Sequence, residues 1–303
     1  MEPLSFPYRG RFAPTPSGPL HFGSLVTALA SWLEARTHQG QWQLRIEDID
    51  PPREMPGAAD QILFTLEAFG LTWDGPVVYQ SQRHEAYQHA LDQLRAQGRA
   101  YPCYCTRKQR QGQSIYLGHC RHQPPPHTHL APAWRFALEE NSLLCWEDQL
   151  QGHQAFNFLE IGDPIIRRRD GYWAYQLAVV VDDLEAGMTH LVRGYDLLDS
   201  TPWQLALYQA LAPEQKPPTY LHLPLIINAQ GQKLSKQNHA PAICASRASA
   251  HLIQALEYLN QPILAEWASL SVEALLSLAV QHWDRTRLPS GQHFSLLPGQ
   301  HLE

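Results

Sequence analysis

Apolar positions along the chain switch between two periods, and the switches predict the order of its elements. Residues Arg9 to Pro14 form a short strand-like run. It enters the loop Pro14-Thr15-Pro16-Ser17-Gly18-Pro19, where proline and glycine end regular structure. From Ser24 the period becomes helical: Leu25, Ala28, Leu29, Trp32 and Leu33 fall at i, i+3, i+4, i+7 and i+8, with Gly40 as a stop. Gln41 to Glu47 then alternates, Trp42, Leu44 and Ile46 against Gln43, Arg45 and Glu47, which predicts a strand. Ile62 to Phe69 before Gly70, and Arg83 to Gln97 before Gly98, each predict a helix closed by glycine. This succession is that of an α/β domain built on a parallel sheet.

The segment from Tyr101 to about Pro132 interrupts the pattern. It holds clustered cysteines, several histidines and the prolines Pro124 to Pro126, and it reads as the start of an inserted subdomain. Helical and strand-like patterning resumes over Tyr172 to Val181, Thr189 to Arg193 and Ser200 to Leu211, the last opened by the start signal Ser200-Thr201-Pro202. Tyr220 to Asn228 is a final strand-like run before the polar loop Ala229 to Lys233. Helical patterns follow at Ala248 to Leu259 and Val272 to Trp283.

A hydrophobic content of 44% with 17% charged residues over 303 residues excludes disordered and fibrous classes. The longest apolar runs, such as Leu177 to Val181 and Leu223 to Ile227, fall far short of the ~20 residues of a bilayer-spanning helix. The start Met1-Glu2-Pro3-Leu4 has neither the basic nor the apolar segment of a secretory signal, so a cytoplasmic location is expected. The net charge of −6 excludes a protein that coats nucleic acid over its whole surface. It leaves room for a local basic patch, for which Arg167-Arg168-Arg169, Arg107-Lys108 and Arg110 are candidates, although an arginine run is commonly a solvated face.

Of the five cysteines, Cys103, Cys105 and Cys120 lie in one short segment. That grouping favours a metal site in a reducing compartment over a disulfide framework. Three thiolates suit tetrahedral zinc with a fourth ligand, for which chemistry alone nominates His119 or His122. Cys145 and Cys244 stand apart and are expected in the core.

Where a strand runs through a Pro/Gly-rich turn into a helix, backbone N–H groups and the helix dipole favour an anion. Here that turn includes His21-Phe22-Gly23-Ser24. Lys233-Leu234-Ser235-Lys236-Gln237 adds compact cations suited to developing phosphate charge. Either element alone is ordinary. Together, Pro-x-Pro-Ser-Gly-x-Leu-His-x-Gly and the late Lys-Leu-Ser-Lys resemble the two signatures of class I aminoacyl-tRNA synthetases. Within that class, Arg11 to Gly18, Leu44 to Asp50, Val180-Val181-Asp182-Asp183 and Val192-Arg193-Gly194 are similar to glutamyl-tRNA synthetases, in that family's order.

The resemblance implies that His21 and Lys236 act on the ATP phosphates, with Gly23, Ser24 and Lys233 completing the ATP site and Mg²⁺ accompanying the nucleotide. Ser24 departs from the family, which has a second histidine there. A pocket for glutamate must meet two carboxylates and one ammonium, so it calls for two cations and one acid, with planar Arg favoured. Arg11, Arg193 and Glu47 supply these and match the family's positions, as does Tyr175, while Phe12, Ala13, Pro14 and Thr15 line the same pocket. The alternative for Arg193 and Glu47 is a surface ion pair.

In a short paralogue group of that family, the glutamyl-queuosine tRNA(Asp) synthetases, the fourth zinc ligand is a tyrosine at this spacing, which carries over to Tyr116. The runs Lys233 to Pro241 and Ile165 to Gly171 are typical of the same group. The resemblance thus implies an α/β, Rossmann-type core with an inserted subdomain holding one structural zinc, a short helical C-terminal region and no anticodon-binding domain. Residues 1–98 and 171–240 are the expected halves of the core, 99–170 the insertion and 241–303 the helical region. The implied activity is ATP-dependent formation of glutamyl-adenylate without tRNA. Glutamate then passes to the cyclopentenediol of queuosine, in the anticodon stem-loop of tRNA(Asp), on a monomer that has no membrane partner. Two rivals are a shortened enzyme charging the 3′ end of tRNA(Glu), and a non-catalytic relic that binds glutamate or ATP.

Overall fold

In the computed structural model, which describes residues 7–106, 108–110, 115–123, 131–227 and 242–295, the alternating and helical periods at the N-terminus become a parallel α/β layer. Its first part comprises β1 (Arg9–Phe12), α1 (Phe22–Thr37), β2 (Gln41–Ile46), α2 (Ala58–Ala68), β3 (Val78–Tyr79) and α3 (His84–Ala96). Strand β2 pairs in parallel with β1 on one side and with β3 on the other. The helix α1 begins ahead of its apolar periodicity because His21 caps it, Nδ1 accepting the Ser24 N–H at 3.2 Å. Gly57, at φ 76°, turns the chain into α2 in a left-handed conformation.

The interruption is a separate set of elements: β4 (Ala100–Cys103), α4 (His119–His122), β5 (Ala133–Phe136), β6 (Leu143–Asp148), β7 (Gly152–Asn157), α5 (Phe158–Ile161) and β8 (Ile165–Arg167). Strands β4, β5 and β8 form an antiparallel sheet, and β6 with β7 forms a hairpin. The parallel layer then resumes with α6 (Tyr175–Glu185), β9 (His190–Gly194), α7 (Thr201–Leu211) and β10 (Thr219–Leu223), β9 pairing in parallel with β10. Thr189 N donates to the Arg9 carbonyl at 2.9 Å, which seats β9 beside β1. The strand order is therefore β3-β2-β1-β9-β10, with the reversal between β1 and β9. In open α/β sheets that reversal is where a ligand crevice forms.

The apolar run over 220–228 breaks at Pro224, which has no N–H to give a ladder. Beyond it lie β11 (Leu225–Ile227), α8 (Ala248–Tyr258), α9 (Val272–His282) and β12 (His293–Ser295), β11 and β12 being parallel. Helices α1, α8 and α9 share one core with β1 and β2, whereas α3, α6 and α7 share another. Lying between the strands and the C-terminal helices, α1 buries Ala28, Leu29, Ala30 and Leu33 completely. Its Glu34 accepts from Trp283 Nε1 at 2.7 Å and from Arg285, tying the C-terminal region to the sheet.

Cys145 and Cys244 are exposed, contrary to the expectation that both lie in the core. The alternation of β6 turns Cys145 outward while Leu144 and Trp146 pack inward. Among the described residues no helix is long and apolar enough to cross a membrane.

Candidate active site

A cavity of about 550 Å³ opens at the carboxyl ends of β1, β2 and β9. Arg11, Phe12, Ala13, Thr15, Glu47, Tyr175 and Arg193 all line it, so the structure brings the expected glutamate residues together with the exception of Pro14. Pro14 has a different place: its carbonyl accepts the Glu47 N–H at 3.0 Å, locking the loop after β1 to the end of β2. Parallel pairing sets the rest of the geometry. Arg11 and Arg193 come from strands on either side of the reversal, Glu47 from just past β2, and Tyr175 from the first turn of α6.

The cations differ sharply in their partners. Arg11 is buried and bidentate to Asp183, Nε to Oδ1 at 3.1 Å and Nη2 to Oδ2 at 3.0 Å. Arg45 donates to the same carboxylate at 2.6 Å and to Glu47 Oε1 at 3.2 Å. Burial opposes ionisation of Asp183, but Arg11 and Arg45 outweigh it and hold its carboxyl below the usual range. Burial pushes the Glu47 carboxyl up, an effect that Arg45 and Arg11 offset in part. The neighbouring Asp182 accepts from Gln80 at 2.7 Å and from Arg83 at 2.6 Å, closing the network behind the cavity.

Arg193 is 3% exposed and is held by neutral acceptors. Its Nε donates to His222 Nε2 at 2.9 Å, Nη1 to Gln204 Oε1 at 2.7 Å and Nη2 to Thr201 Oγ1 at 2.8 Å. Among the described residues it has no carboxylate partner. A buried guanidinium so placed attracts a carboxylate from whatever occupies the cavity, because among the described residues no carboxylate pairs with it directly.

At the N-terminus of α1, His21 is the capping residue, its Nε2 lies 3.2 Å from Ser24 Oγ, and Gly23 carries no side chain to obstruct the helix start. Lys233 and Lys236 lie outside the described residues. The three clustered thiols converge, with their sulfur atoms within 4.8 Å of one another. Tyr116 Oη lies 3.3 Å from Cys103 Sγ and 3.6 Å from Cys105 Sγ. Zn–S bonds of ~2.3 Å in a tetrahedron place sulfurs roughly 3.8 Å apart, so the cluster fits a metal, with the tyrosine oxygen in reach of the fourth position. His122 instead faces Glu140 at 2.9 Å.

The arginine run folds back on the protein. Arg167 lies over the Trp173 ring, Arg168 pairs with Asp50 at 2.9 Å and lines the cavity, and Arg169 reaches the Cys105 carbonyl. The reading of the sequence missed the partners that hold Arg193, and the purpose of Asp182 and Asp183. A signal existed in both cases: paired acids end the apolar run of α6, and a lone histidine sits in the apolar strand β10.

Comparisons with known proteins show the family and the fold. The family described as tRNA synthetases class I (E and Q), catalytic domain, matches residues 8–270. The chain is 52% identical over 294 residues to a protein of Serratia proteamaculans named Glutamyl-Q tRNA(Asp) synthetase, covering 95% of this chain and 94% of that one. It is likewise 52% identical over 292 residues to the Chromobacterium violaceum protein of that name, covering 94% and 96%. Among solved structures, a glutamate tRNA ligase from Elizabethkingia meningosepticum superposes with a TM-score of 0.80 at 24% identity. That match covers 95% of this chain and 67% of the other, and is a likeness of fold.

Proposed function

The chain belongs to the class I tRNA synthetases of the glutamate and glutamine type, and from that premise we propose that it activates L-glutamate with ATP and passes it to queuosine in tRNA(Asp). One observation carries the first half: Arg193, buried without a carboxylate partner among the described residues, faces the cavity that Arg11 and Glu47 also line. Arg193 receives one carboxylate of glutamate, Arg11 receives the other beside Asp183, and Glu47 with Tyr175 meets the ammonium. In the first step the α-carboxylate oxygen attacks the α-phosphate of ATP and pyrophosphate leaves. His21 and the start of α1 meet the phosphate charge, as do Lys233 and Lys236. Mg²⁺ accompanies ATP as its counter-ion.

In the second step a hydroxyl of the queuosine cyclopentenediol attacks the adenylate carbonyl and AMP leaves, giving a glutamyl ester. The relatives at 52% identity carry this assignment, since their name specifies that acceptor. Arg168, at the mouth of the cavity, is well placed to meet tRNA phosphate, with Arg167 and Arg169 beside it. We read Cys103, Cys105, Tyr116 and Cys120 as the ligands of one structural zinc, which when bound fixes β4 to α4. We also read 99–170 as a unit inserted between the core halves 1–98 and 171–240, with 241–303 bracing them, in a cytoplasmic monomer.

Pyrophosphate exchange into ATP, dependent on glutamate and run without tRNA, tests the first step. Labelled glutamate followed by nuclease mapping of queuosine-containing tRNA(Asp) tests the second. The expected result is exchange without tRNA and label on the anticodon fragment. Label on a 3′-terminal fragment of tRNA(Glu) makes the protein a shortened glutamyl-tRNA synthetase instead, and the absence of both exchange and label on any tRNA leaves only a binding protein.

A further inference from the structure

Behind Arg193, outside the lining of the cavity, stands a buried pair. His222, on β10, and Asp148, at the end of β6, are both fully enclosed, with Nδ1 2.5 Å from Oδ2. Asp148 Oδ1 accepts the N–H groups of Leu150 at 3.1 Å, Gln151 at 2.9 Å and His222 at 3.2 Å. The carboxylate is therefore the fixed point of the turn between β6 and β7, and that hairpin is fastened by it to β10.

The donor and acceptor pattern assigns the histidine's proton. Arg193 Nε can only donate, so His222 Nε2, at 2.9 Å, must accept. Nδ1 must then carry the hydrogen, which it gives to Asp148. A proton on Nε2 instead sets it against the Arg193 donor, with Thr201 Oγ1, 3.3 Å away and already accepting from Arg193 Nη2, as its longer alternative. Burial, opposed by Asp148 and aided by Arg193, pushes the imidazole down to about 4, consistent with a neutral ring. The other nitrogens of Arg193 go to Thr201 and to Gln204, and Gln204 is itself held by Gln176 at 3.0 Å. Of these acceptors His222 alone has a second, ionic anchor, and a hydrogen bond to Nε fixes the plane of the whole guanidinium.

We propose that His222 is a positioning residue for Arg193: Asp148 fixes its tautomer, and the Nε2 lone pair then holds the guanidinium plane in the orientation that receives the substrate carboxylate. The proposal rests on the reading of the cavity as a glutamate site. It makes the inserted hairpin a part of the amino-acid pocket although no residue of that hairpin lines the cavity.

Asp148→Asn is the decisive variant. Its amide oxygen keeps the three backbone bonds, while its NH₂ replaces the acceptor facing Nδ1. The imidazole proton is thereby driven to Nε2, against Arg193. With the full-length protein, ¹⁵N NMR of the imidazole reports the tautomer, and pyrophosphate exchange reports KM for glutamate and for ATP. The expected result is Nδ1–H in the parent and Nε2–H in Asp148→Asn, with KM for glutamate raised about tenfold or more and KM for ATP within about twofold. His222→Gln, whose side-chain carbonyl can still accept from Arg193, keeps KM for glutamate within about threefold of the parent.

A parent ring protonated on Nε2, or on both nitrogens at pH 7, overturns the proposal. So does an unchanged KM for glutamate in Asp148→Asn. Should Asp148→Asn not fold, His222→Gln decides: a rise in KM for glutamate of tenfold or more with KM for ATP unchanged removes the acceptor role. Loss of glutamate-dependent exchange in the parent itself strikes the functional reading instead, and the tautomer measurement still judges the hydrogen-bond arrangement.

Discussion

Arg11, which lines the cavity, and Asp183, buried behind it, meet as a bidentate pair at 3.0 and 3.1 Å, with the same carboxylate also taking Arg45 at 2.6 Å. One acid thus holds two guanidinium groups from neighbouring strands. Asp183→Ala leaves both cations buried with less than their compensation, and breaking such a pair costs about 3–5 kcal/mol. The expected outcome is a matching fall in stability by denaturant titration, along with loss of glutamate-dependent exchange in whatever protein remains folded. An unaltered midpoint contradicts the network as described.

Arg193 differs because its partners are neutral, so its removal leaves no stranded buried acid. Arg193→Ala is expected to raise KM for glutamate by about 10–100-fold, the worth of a charge-assisted hydrogen bond, while KM for ATP moves little. Arg193→Lys is expected to fall nearer to Ala than to the parent, since an ammonium cannot reproduce the planar fork that His222, Gln204 and Thr201 grip. Steady-state exchange with each substrate varied in turn separates the two constants. Equal rises in both constants place Arg193 in general structure rather than in the pocket.

Much of this arrangement was legible in the sequence because it follows from local rules. Alternation predicts β2, helical spacing predicts α1, and glycines predict the ends of α2 and α3, at Gly70 and Gly98. Arg11, Glu47 and Arg193 could be named because they stand at positions that match the family the sequence resembles, and because two cations and an acid are what glutamate would call for. Their partners could not, because Asp183, His222 and Asp148 reach the pocket from elements far apart in the chain, and no periodicity encodes which buried acid meets which base. The exposure of Cys145 was missed for a related reason: a half-covered hairpin turns one residue outward and its neighbour inward, and composition cannot tell which.

The cysteine cluster predicts a stoichiometric metal. One zinc per chain is the expected result of elemental analysis of the purified protein, and Cys103→Ser or Cys120→Ser is expected to lose both the metal and stability. Tyr116→Phe tests the fourth position separately. It removes the oxygen that lies 3.3 Å from Cys103 Sγ, so zinc affinity in a chelator competition is expected to weaken while three thiolates still hold the ion. Unchanged affinity removes tyrosine from the ligand set, and a metal-free parent removes the site.

Acid should destabilise this protein earlier than its carboxylates alone predict. His222 is completely enclosed between Asp148 and Arg193, and burial brings it down to about 4, against about 6.5 for an exposed histidine. The unfolded chain therefore binds a proton between those two values that the folded chain refuses. The contribution to stability is complete above about pH 6.5 and is lost as pH falls toward 4. The loss is of order 2 kcal/mol at pH 5 for this one ring, since each unit between the two pKa values is worth about 1.4 kcal/mol. His190, also pushed down to about 4 by burial and by Arg285, changes stability in the same direction. Asp148 acts in a lower window, because its carboxyl is held below the ordinary value and resists protonation until more acid is present. Denaturant midpoints at pH 7 and pH 5 are expected to differ in the parent and to converge in part in His222→Gln. Equal slopes in parent and variant place the acid sensitivity elsewhere.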